Sequence, residues 1–226
     1  MDNGSGLFGY LGDGAVIENL EIASGTVGGK YCYSLGGIAG EVYENAVVVI
    51  RNCRNAADIK GLWGIGGILG CVHENGTAII ENCSNSGTIT AEYQGGGIIG
   101  AIGPNRWKNN GASANVANCY NVGSIGGYGY WGNGGIAGNY QLSGTSVHSE
   151  IINCYNAGTV SGAVVGAVIG SAEESDVRIE NVYYKDVSGL PVYGIFDDGG
   201  QYSSGVITGD AVSKNDEYMT VSYTHL

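Results

Sequence analysis

The chain has 226 residues, among them 43 glycines and only two prolines, and its formal net charge is −12. Glycine at this level without a collagen period is typical of tight turns and short strands rather than helices. The negative charge disfavours polyanion binding across the surface and argues against nucleic acid. The sequence contains no run of about 18 apolar residues and no charged-then-apolar leader, so it predicts neither a membrane span nor a signal peptide.

Two short phrases recur along the chain. The first is clearest at Ile80–Cys83, and related tetrapeptides begin at Ile17, Ile50, Val116, Ile151 and Ile179. The second, Gly-Gly-Ile-x-Gly, stands between copies of the first, at residues 36–40, 66–70, 96–100 and 134–138. Self-similarity at a period of about 30 residues predicts a stacked solenoid, in which function lies on a ladder surface rather than in one deep pocket.

One coil can be followed between residues 66 and 90. Gly67–Val72 predicts a first strand, and His73–Gly76 predicts a turn because it ends in Asn-Gly. Ala78–Cys83 predicts a second strand and Thr88–Thr90 a third. The sequence therefore predicts an all-β fold, a right-handed parallel β-helix with about six coils of about 30 residues and three short strands per coil.

The repeats divide the chain into two regions. We expect a β-helical domain over residues 1–184 and an acidic tail or capping segment over 185–226, whose acids are either solvated or bind calcium. The last six residues fit no repeat column and resemble a translated sequencing-adapter end, so we expect them to be non-native. Because the chain opens inside a repeat without a polar cap, we expect a fragment that lacks its N-terminus and any export signal. The coils are placed near residues 7–27, 36–60, 66–90, 96–126, 134–161 and 166–184.

Four of the six cysteines occupy one repeat column, at Cys53, Cys83, Cys119 and Cys154. Leu20 and Val182 take that column in the terminal coils, which predicts buried thiols that act as small hydrophobic groups. Metal ligation is disfavoured because the chain has no Cys-x-x-Cys pair. We therefore expect no metal and no cofactor.

Two asparagine columns flank the cysteines. Asparagine tolerates the left-handed conformation that a sharp corner needs, and its amide can bond to the amide of the next coil. A buried asparagine needs that partner, because an unpaired amide would cost a few kcal/mol. We interpret both columns as structural; they are Asn19, Asn52, Asn82, Asn118, Asn153 and Asn181, and Asn55, Asn85, Asn121 and Asn156.

An aromatic residue precedes four of the Gly-Gly-Ile phrases, at Tyr33, Trp63, Tyr93 and Trp131. Stacked coils would place these rings about 4.8 Å apart along one edge. They form either an aromatic ladder that packs against itself and covers a turn, or a platform on which sugar rings lie flat. Aromatic rings suit the second role because they offer large contact area with little loss of side-chain entropy.

The coils differ in length mainly at two insertions, residues 103–115 and 139–150, which lie at the same corner of adjacent coils. Insertions on one face of a repeat array often carry binding. Trp107, in the longer insertion, is therefore a further candidate contact. The proposed ligand-binding residues are thus Tyr33, Trp63, Tyr93, Trp131 and Trp107.

A second apolar column neighbours the inward isoleucines. Strand alternation predicts that it faces outward, where another domain or a partner chain would cover it. The column consists of Ala39, Leu69, Ile99, Ala137 and Ile169.

Catalysis is not predicted within the repeats. The facing carboxylates of a glycosidase are not indicated, because Glu18, Glu81 and Glu180 share their column with uncharged and basic residues. His73-Glu74 lacks the second histidine of a zinc protease helix. A polysaccharide-active β-helix enzyme is the third interpretation, after a binding module and a structural spacer.

The second phrase followed by Ile-x-Asn-Cys-Tyr-Asn-x-Gly-x-Ile, clearest at Val116–Ile125 and Ile151–Val160, resembles the GLUG-motif repeats of bacterial surface and secreted proteins. The opening Gly6–Tyr10 resembles the usual start of such an array, and the resemblance covers roughly residues 5–184. It implies an exported, envelope-associated repeat region, often beside adhesin modules or peptidase domains, including immunoglobulin-A-cleaving metallopeptidases. It implies no catalytic residue within the repeats.

These observations predict a non-catalytic repeat module of an exported bacterial cell-surface protein that binds carbohydrate or glycoprotein. The alternative is a purely structural spacer of a larger surface protein or secreted peptidase. The expected partners are an extracellular glycan or host glycoprotein and neighbouring domains of a longer chain. The expected location is extracellular or at the cell surface.

Overall fold

The computed structural model describes residues 3–103, 111–141, 148–173, 175–185, 189–194 and 206–214. These residues form short β-strands joined by turns and bends, and none of them is helical. Strands one coil apart pair in parallel, and two of the four sheets contain six strands each. The described part of the chain is therefore an all-β solenoid of six stacked coils, as the sequence predicts.

The first four coils pass through the four sheets in the same order, and the fifth and sixth contribute strands to the first three. The first sheet contains Asn3–Ser5, Tyr33–Gly36, Trp63–Gly66, Gln94–Gly96, Gly132–Gly134 and Val165–Gly166. The second contains Phe8–Leu11, Ala39–Val42, Leu69–Val72, Ile99–Ile102, Ala137–Gln141 and Ile169–Glu173. The fourth contains Thr26–Gly28, Asp58–Gly61, Ile89–Ala91 and Ile125–Gly126.

The third sheet is bent at the first asparagine column, so most coils cross it as two strands. Before the bend lie Val16–Glu18, Val47–Arg51, Thr77–Glu81, Ser113–Ala117 and His148–Ile152. After the bend lie Glu21–Ile22, Arg54–Asn55, Ser84–Asn85, Tyr120–Asn121 and Tyr155–Asn156. Asp176–Lys185 spans both halves, and Val206–Lys214 pairs with it.

The three strands expected within residues 66–90 are present as Leu69–Val72, Thr77–Glu81 and Ile89–Ala91. Two further strands complete the coil, Trp63–Gly66 before the Gly-Gly phrase and Ser84–Asn85 after the cysteine. Glycine-rich and polar segments have little β-propensity of their own, so the sequence did not predict these strands. Pairing with the coils on either side orders them.

A repeated corner places two successive apolar side chains inside the coil. The backbone N–H groups of Ile68 and Leu69 both donate to the Ile98 carbonyl, each at 3.0 Å. Because two residues share one acceptor, the alternation of side chains is interrupted there. The prediction that the second apolar column faces outward is therefore wrong; its members are all fully buried in the core, at Ala39, Leu69, Ile99, Ala137 and Ile169.

Glycine at the start of this corner is required by close approach of neighbouring coils. A Cβ on Gly97 would lie 2.2 Å from the carbonyl oxygen of Gly135 and 2.5 Å from Cγ of Asn121. Neither the backbone oxygen nor the buried asparagine can move aside, which explains why the Gly-Gly phrase recurs in successive coils.

The first asparagine column forms the bend of the third sheet. All six of its residues have a positive φ, between 52° and 60°. Each side chain is exposed, and the amide nitrogens donate toward the preceding coil, for example from Asn82 to Asn52 Oδ1 at 3.2 Å. The prediction of a left-handed corner is confirmed for this column.

The second asparagine column is buried inside the coil. Asn55, Asn85 and Asn121 each donate from Nδ2 to the Oδ1 of the next asparagine at 2.8 Å. The series ends where Asn156 donates to the Ala167 carbonyl at 3.1 Å. The structural interpretation is confirmed, and donation runs toward the C-terminus, opposite to the exposed column.

Both insertions connect the second sheet to the third in neighbouring coils. Ile99–Ile102 pairs with Ala137–Gln141, and Ser113–Ala117 pairs with His148–Ile152. The insertions therefore begin and end at the same corner, as predicted. Residues 104–110 and 142–147, which form about half of their length, lie outside the described residues.

Part of the segment after residue 184 stacks on the sixth coil. The backbone N–H of Val168 donates to the Val192 carbonyl at 2.9 Å, and Tyr193 bridges to Ile169. Val206–Lys214 then adds a parallel strand to Asp176–Lys185. The segment predicted as a tail or cap thus continues the stack in these two places, and its last six residues lie outside the described residues.

Candidate functional site

Four aromatic side chains stand next to one another where the coils enter the first sheet. Trp63 and Tyr33 are register partners, and the Trp131 N–H donates to the Tyr93 carbonyl at 2.9 Å. The ring centroids are 6.2 Å apart from Tyr33 to Trp63, and 5.6 Å apart from Trp63 to Tyr93. The centroids of Tyr93 and Trp131 are 5.1 Å apart. We call these four residues the aromatic edge; Trp107, the fifth predicted contact, lies outside the described residues.

The rings of the aromatic edge are inclined to one another, and two of their contacts are edge to face. The Trp63 ring is inclined by 73° to Tyr33 and by 77° to Tyr93. Its centroid also lies 4.7 Å from that of Trp131, at an inclination of 56°. This arrangement is favoured because the positive edge of one ring meets the negative face of another. The four half-buried rings therefore cover one another, as in the self-packing interpretation, and do not form a flat platform.

Two tyrosines outside the repeat columns extend the aromatic edge into solvent. Tyr128 is 55% exposed and Tyr130 is 44% exposed, and their rings stack with centroids 5.9 Å apart and planes 14° apart. The Tyr130 centroid lies 6.2 Å from Tyr93 and 6.2 Å from Trp131. The only sequence signal was the alternation of glycine and tyrosine over residues 127–130.

The loop that carries these tyrosines is tied to the preceding coil. The backbone N–H of Gly129 donates to the Ala91 carbonyl at 3.2 Å, and that of Tyr130 donates to Glu92 at 3.1 Å. Gly127 has a φ of 103°, and a Cβ there would lie 2.2 Å from the Ala91 oxygen. The loop conformation therefore depends on glycine, and it presents the two rings from a fixed backbone.

The backbone carbonyl of Trp131 accepts hydrogen bonds from two buried polar side chains. Asn139 Nδ2 donates to the Trp131 carbonyl at 3.1 Å, and the Ser171 hydroxyl donates to the same oxygen. Asn139 is 0% exposed and Ser171 is 1% exposed. The sequence did not indicate these residues, because asparagine and serine occupy a column that holds Cys71 and Ala101 in the preceding coils.

The repeat unit that builds this edge also matches a known family. A family model described as the GLUG motif matches residues 61–90. The chain carries a GLUG motif. The matched segment is one complete coil, from the strand Trp63–Gly66 to the strand Ile89–Ala91. Trp63 of the aromatic edge therefore lies inside the GLUG motif.

A comparison of the fold finds a crystal structure described as that of a "putative immunoglobulin A1 protease" from Bacteroides ovatus. It is 19% identical in sequence, with a TM-score of 0.49, and the match covers 95% of this chain and 80% of the other. No curated protein matches the sequence of this chain.

The column of four cysteines lies in the core. Its four thiols are free and at most 1% exposed, as predicted for small hydrophobic groups. Cys83 Sγ donates to the Glu81 carbonyl at 3.2 Å, and the Cys53 backbone N–H donates to Cys83 Sγ at 3.4 Å. Burial raises the pKa of Cys119 well above its ordinary range, which keeps that thiol protonated.

An ion pair links Glu41, in the second sheet, to His73, which follows the strand Leu69–Val72. His73 Nε2 is 3.1 Å from Glu41 Oε2, and the Glu41 side chain is only 8% exposed. Hydrogen bonding to Glu41 raises the pKa of His73 above 6.5, and the charges of Glu44 and Glu74 act in the same direction. Burial opposes the shift, but its effect is smaller than that of the hydrogen bond.

Within the described ranges, no group of three or more His, Cys, Asp or Glu side chains is arranged to hold a metal ion. The same residues include no helix that is long and apolar enough to cross a membrane.

Proposed function

We propose that this GLUG repeat region is a non-catalytic module of an exported bacterial surface protein, and that it binds carbohydrate or glycoprotein at the aromatic edge. The observation that carries the proposal is the continuous group of rings formed by Tyr128, Tyr130 and Trp131, of which the first two are exposed. The GLUG motif and the export implied by that family support the surface location.

The exposed tyrosines supply the solvent-accessible ring surface that the packed rings lack. Trp63 and Tyr93 are half-buried among their neighbours, whereas Tyr128 and Tyr130 present nearly parallel rings to solvent. Aromatic rings contribute large contact area at little cost in side-chain entropy, which suits an extended sugar chain. Because the loop is hydrogen-bonded to Ala91 and Glu92, the rings need little reorganisation on binding.

The second candidate is a structural spacer. It is favoured by the edge-to-face packing of Tyr33, Trp63 and Tyr93, which leaves little free ring surface on these residues. In this alternative the aromatic edge stabilises the stack and the partners are neighbouring domains.

A glycan array distinguishes the two candidates. We expect the wild-type chain to bind a subset of glycans, and Tyr130→Ala and Trp131→Ala each to lower the affinity about tenfold, through lost ring contact. Tyr43→Ala is the matched control, because Tyr43 is 60% exposed and contacts Tyr10 instead of the aromatic edge.

Circular dichroism of each variant establishes that the fold is intact. Wild-type affinity in Tyr130→Ala and Trp131→Ala would contradict the binding proposal, and an array without any bound glycan would favour the spacer.

A further inference from the structure

The outer face of the third sheet carries an apolar patch in the first three coils. Val16, Val49 and Ile79 are register partners in consecutive coils, and Val47 lies two residues before Val49. Outward and buried residues alternate along the strand Val47–Arg51, so these side chains point away from the core. Val16 is 56% exposed and Val47 is 47% exposed. We call Val16, Val47, Val49 and Ile79 the aliphatic patch.

The patch is confined to one half of the stack. In the next three coils the column of Val16, Val49 and Ile79 continues as polar and charged residues, namely Asn115, Glu150 and Arg178. The strands of the first three coils are thus apolar on both faces, whereas those of the last three follow the alternation of a solvated sheet. Parallel strands that are apolar on both faces are usually covered on both. The aliphatic patch is therefore a candidate docking surface.

A charged column forms one border of the patch. Glu18 and Glu81 each lie two residues beyond a patch residue and share its outward face. Arg51 lies between them in register. Its Nε is 2.6 Å from Glu18 Oε2, whereas no ion pair engages Glu81 among the described residues. The negative charge of Glu81 is therefore available to a partner.

The opposite border is acidic as well. Asp13 Oδ1 accepts a hydrogen bond from the Val47 N–H at 2.9 Å, which places this carboxylate beside the patch. Glu44 is exposed in the turn that leads into the same strand. The turns of the first three coils at this border, residues 12–15, 43–46 and 73–76, contain no lysine or arginine.

These charges select the kind of partner. An apolar patch between two acidic borders complements an apolar stripe that has basic groups on both sides. The net charge of −12 steers a basic partner toward the chain. It disfavours a second copy of the chain, because like charges would meet across the interface.

The length of the patch fits one face of a helix. Val16 and Ile79 are two strand spacings apart, about 9.6 Å. Side chains at positions i and i+7 of an α-helix are about 10.5 Å apart along its axis. A helix that lies along the column would therefore place successive apolar side chains on successive coils, with the residues beside its apolar stripe over the two acidic borders.

We propose that the aliphatic patch and its acidic borders bind a basic amphipathic helix of a partner peptide or protein. The apolar side chains of the helix pack on Val16, Val49 and Ile79. Its lysines and arginines pair with Glu81 and Asp13, while their methylene stems cover the rim of the patch. The aromatic edge lies at the first sheet and shares no residue with the patch, so this proposal does not rest on glycan binding.

Methyl-detected nuclear magnetic resonance titration of the whole chain tests the proposal. The probe is a peptide of two Leu-Lys-Lys-Leu-Leu-Lys-Lys heptads, and the comparison peptide has glutamate at every lysine. We expect the basic peptide to shift the methyl signals of Val16, Val49 and Ile79 in a saturable manner, and the acidic peptide to leave them unchanged. Raising the salt concentration from about 0.1 M to about 1 M should weaken binding, because it screens the charge pairs at the borders.

One pair of variants tests the apolar contact. Val49→Lys places a positive charge at the centre of the patch and should lower the affinity for the basic peptide about tenfold or more. Ile152→Lys is the matched control, because Ile152 is also half-buried and outward on the third sheet but lies three coils further along. Circular dichroism establishes that each variant is folded. Where Val49→Lys does not fold, Val49→Thr replaces it, with an expected several-fold loss of affinity.

A second pair tests the charges. Glu81→Gln should weaken binding several-fold and reduce its dependence on salt. Glu92→Gln removes the same charge from an exposed residue outside the third sheet, so it should leave the affinity unchanged.

The proposal is overturned if the basic peptide leaves the three methyl signals unchanged, if the acidic peptide shifts them equally, or if the folded Val49 variant binds as the wild type does. Methyl signals that shift with protein concentration alone would identify a second copy as the occupant and would also overturn it.

Discussion

Replacing Asn85 with alanine should destabilise the protein far more than replacing Asn82, three residues earlier in the same coil. Asn85 is 0% exposed, and its side chain makes four hydrogen bonds. It donates to the Gly87 carbonyl at 2.9 Å and to Asn121 Oδ1 at 2.8 Å. It accepts from Asn55 Nδ2 at 2.8 Å and from the Gly87 N–H at 3.3 Å.

The size of the effect follows from the groups left without this partner. Asn55 Nδ2 still donates to the Ala57 carbonyl, and Asn121 Oδ1 still accepts from the Gly123 N–H. The alanine therefore removes the side-chain partner of both the N–H and the carbonyl of Gly87. It also removes one hydrogen bond from each of the two asparagines. At about 1–3 kcal/mol for each buried group left unsatisfied, we expect a loss of about 4 kcal/mol.

Asn82 is the matched comparison. It is exposed, so water replaces the hydrogen bond that its side chain loses on substitution by alanine. Its φ is 52°, so the alanine must adopt a left-handed conformation at a cost of about 1 kcal/mol. Asn82→Gly should be nearly neutral, because glycine adopts that conformation freely.

Urea unfolding followed by far-ultraviolet circular dichroism measures both effects. A solenoid can unfold in parts, one group of coils before another. Because both residues lie in one coil, such partial unfolding would affect both variants alike. Equal losses for Asn85→Ala and Asn82→Ala, or a loss of about 1 kcal/mol or less for Asn85→Ala, would refute the argument that a buried amide without partners is the dominant cost.

Two other predictions follow from the fold. Gly97→Ala should lower the free energy of unfolding by about 3 kcal/mol or more, because the new Cβ would meet the Gly135 oxygen at 2.2 Å. Gly12→Ala is the control, because a Cβ there would have no atom within 4 Å. Similar melting temperatures for the two variants would contradict the close-approach argument. Because the pKa of His73 is raised in the folded state, protonation of His73 stabilises the fold. This contribution is fully present below the unfolded-state pKa of 6.5 and is lost as the pH rises through the higher folded-state pKa. His73→Gln should therefore lose about 1 kcal/mol at pH 6 and much less at pH 9, whereas a pH-independent loss would contradict the Glu41 pairing.

The sequence predicted those parts of the fold in which each coil repeats the same chemistry. The isoleucine and cysteine columns recur from coil to coil, so their burial could be predicted before the structure, whereas the sequence did not indicate which of the two asparagine columns is buried. The left-handed bend followed from asparagine at six equivalent positions. The sharing of the Ile98 carbonyl by Ile68 and Leu69 could not be predicted, because backbone geometry rather than residue type breaks the alternation there.

The candidate sites depend on features that do not repeat. The four residues of the aromatic edge could be aligned by spacing, but their edge-to-face packing arises from side-chain orientations that spacing does not specify. Tyr128 and Tyr130 lie in a connection of several residues, 127–131, whereas the equivalent connection before Trp63 is Leu62 alone.

The direction of the buried amide series also bears on how such an array can change length. Asn85 and Asn121 each accept a hydrogen bond from the asparagine of the coil before and donate one to the asparagine of the coil after, with the same atoms at 2.8 Å each time. A coil duplicated in tandem by recombination would therefore dock on both neighbours without any new complementary group. Gain or loss of a whole coil would keep the amide series continuous, whereas loss of half a coil would interrupt it.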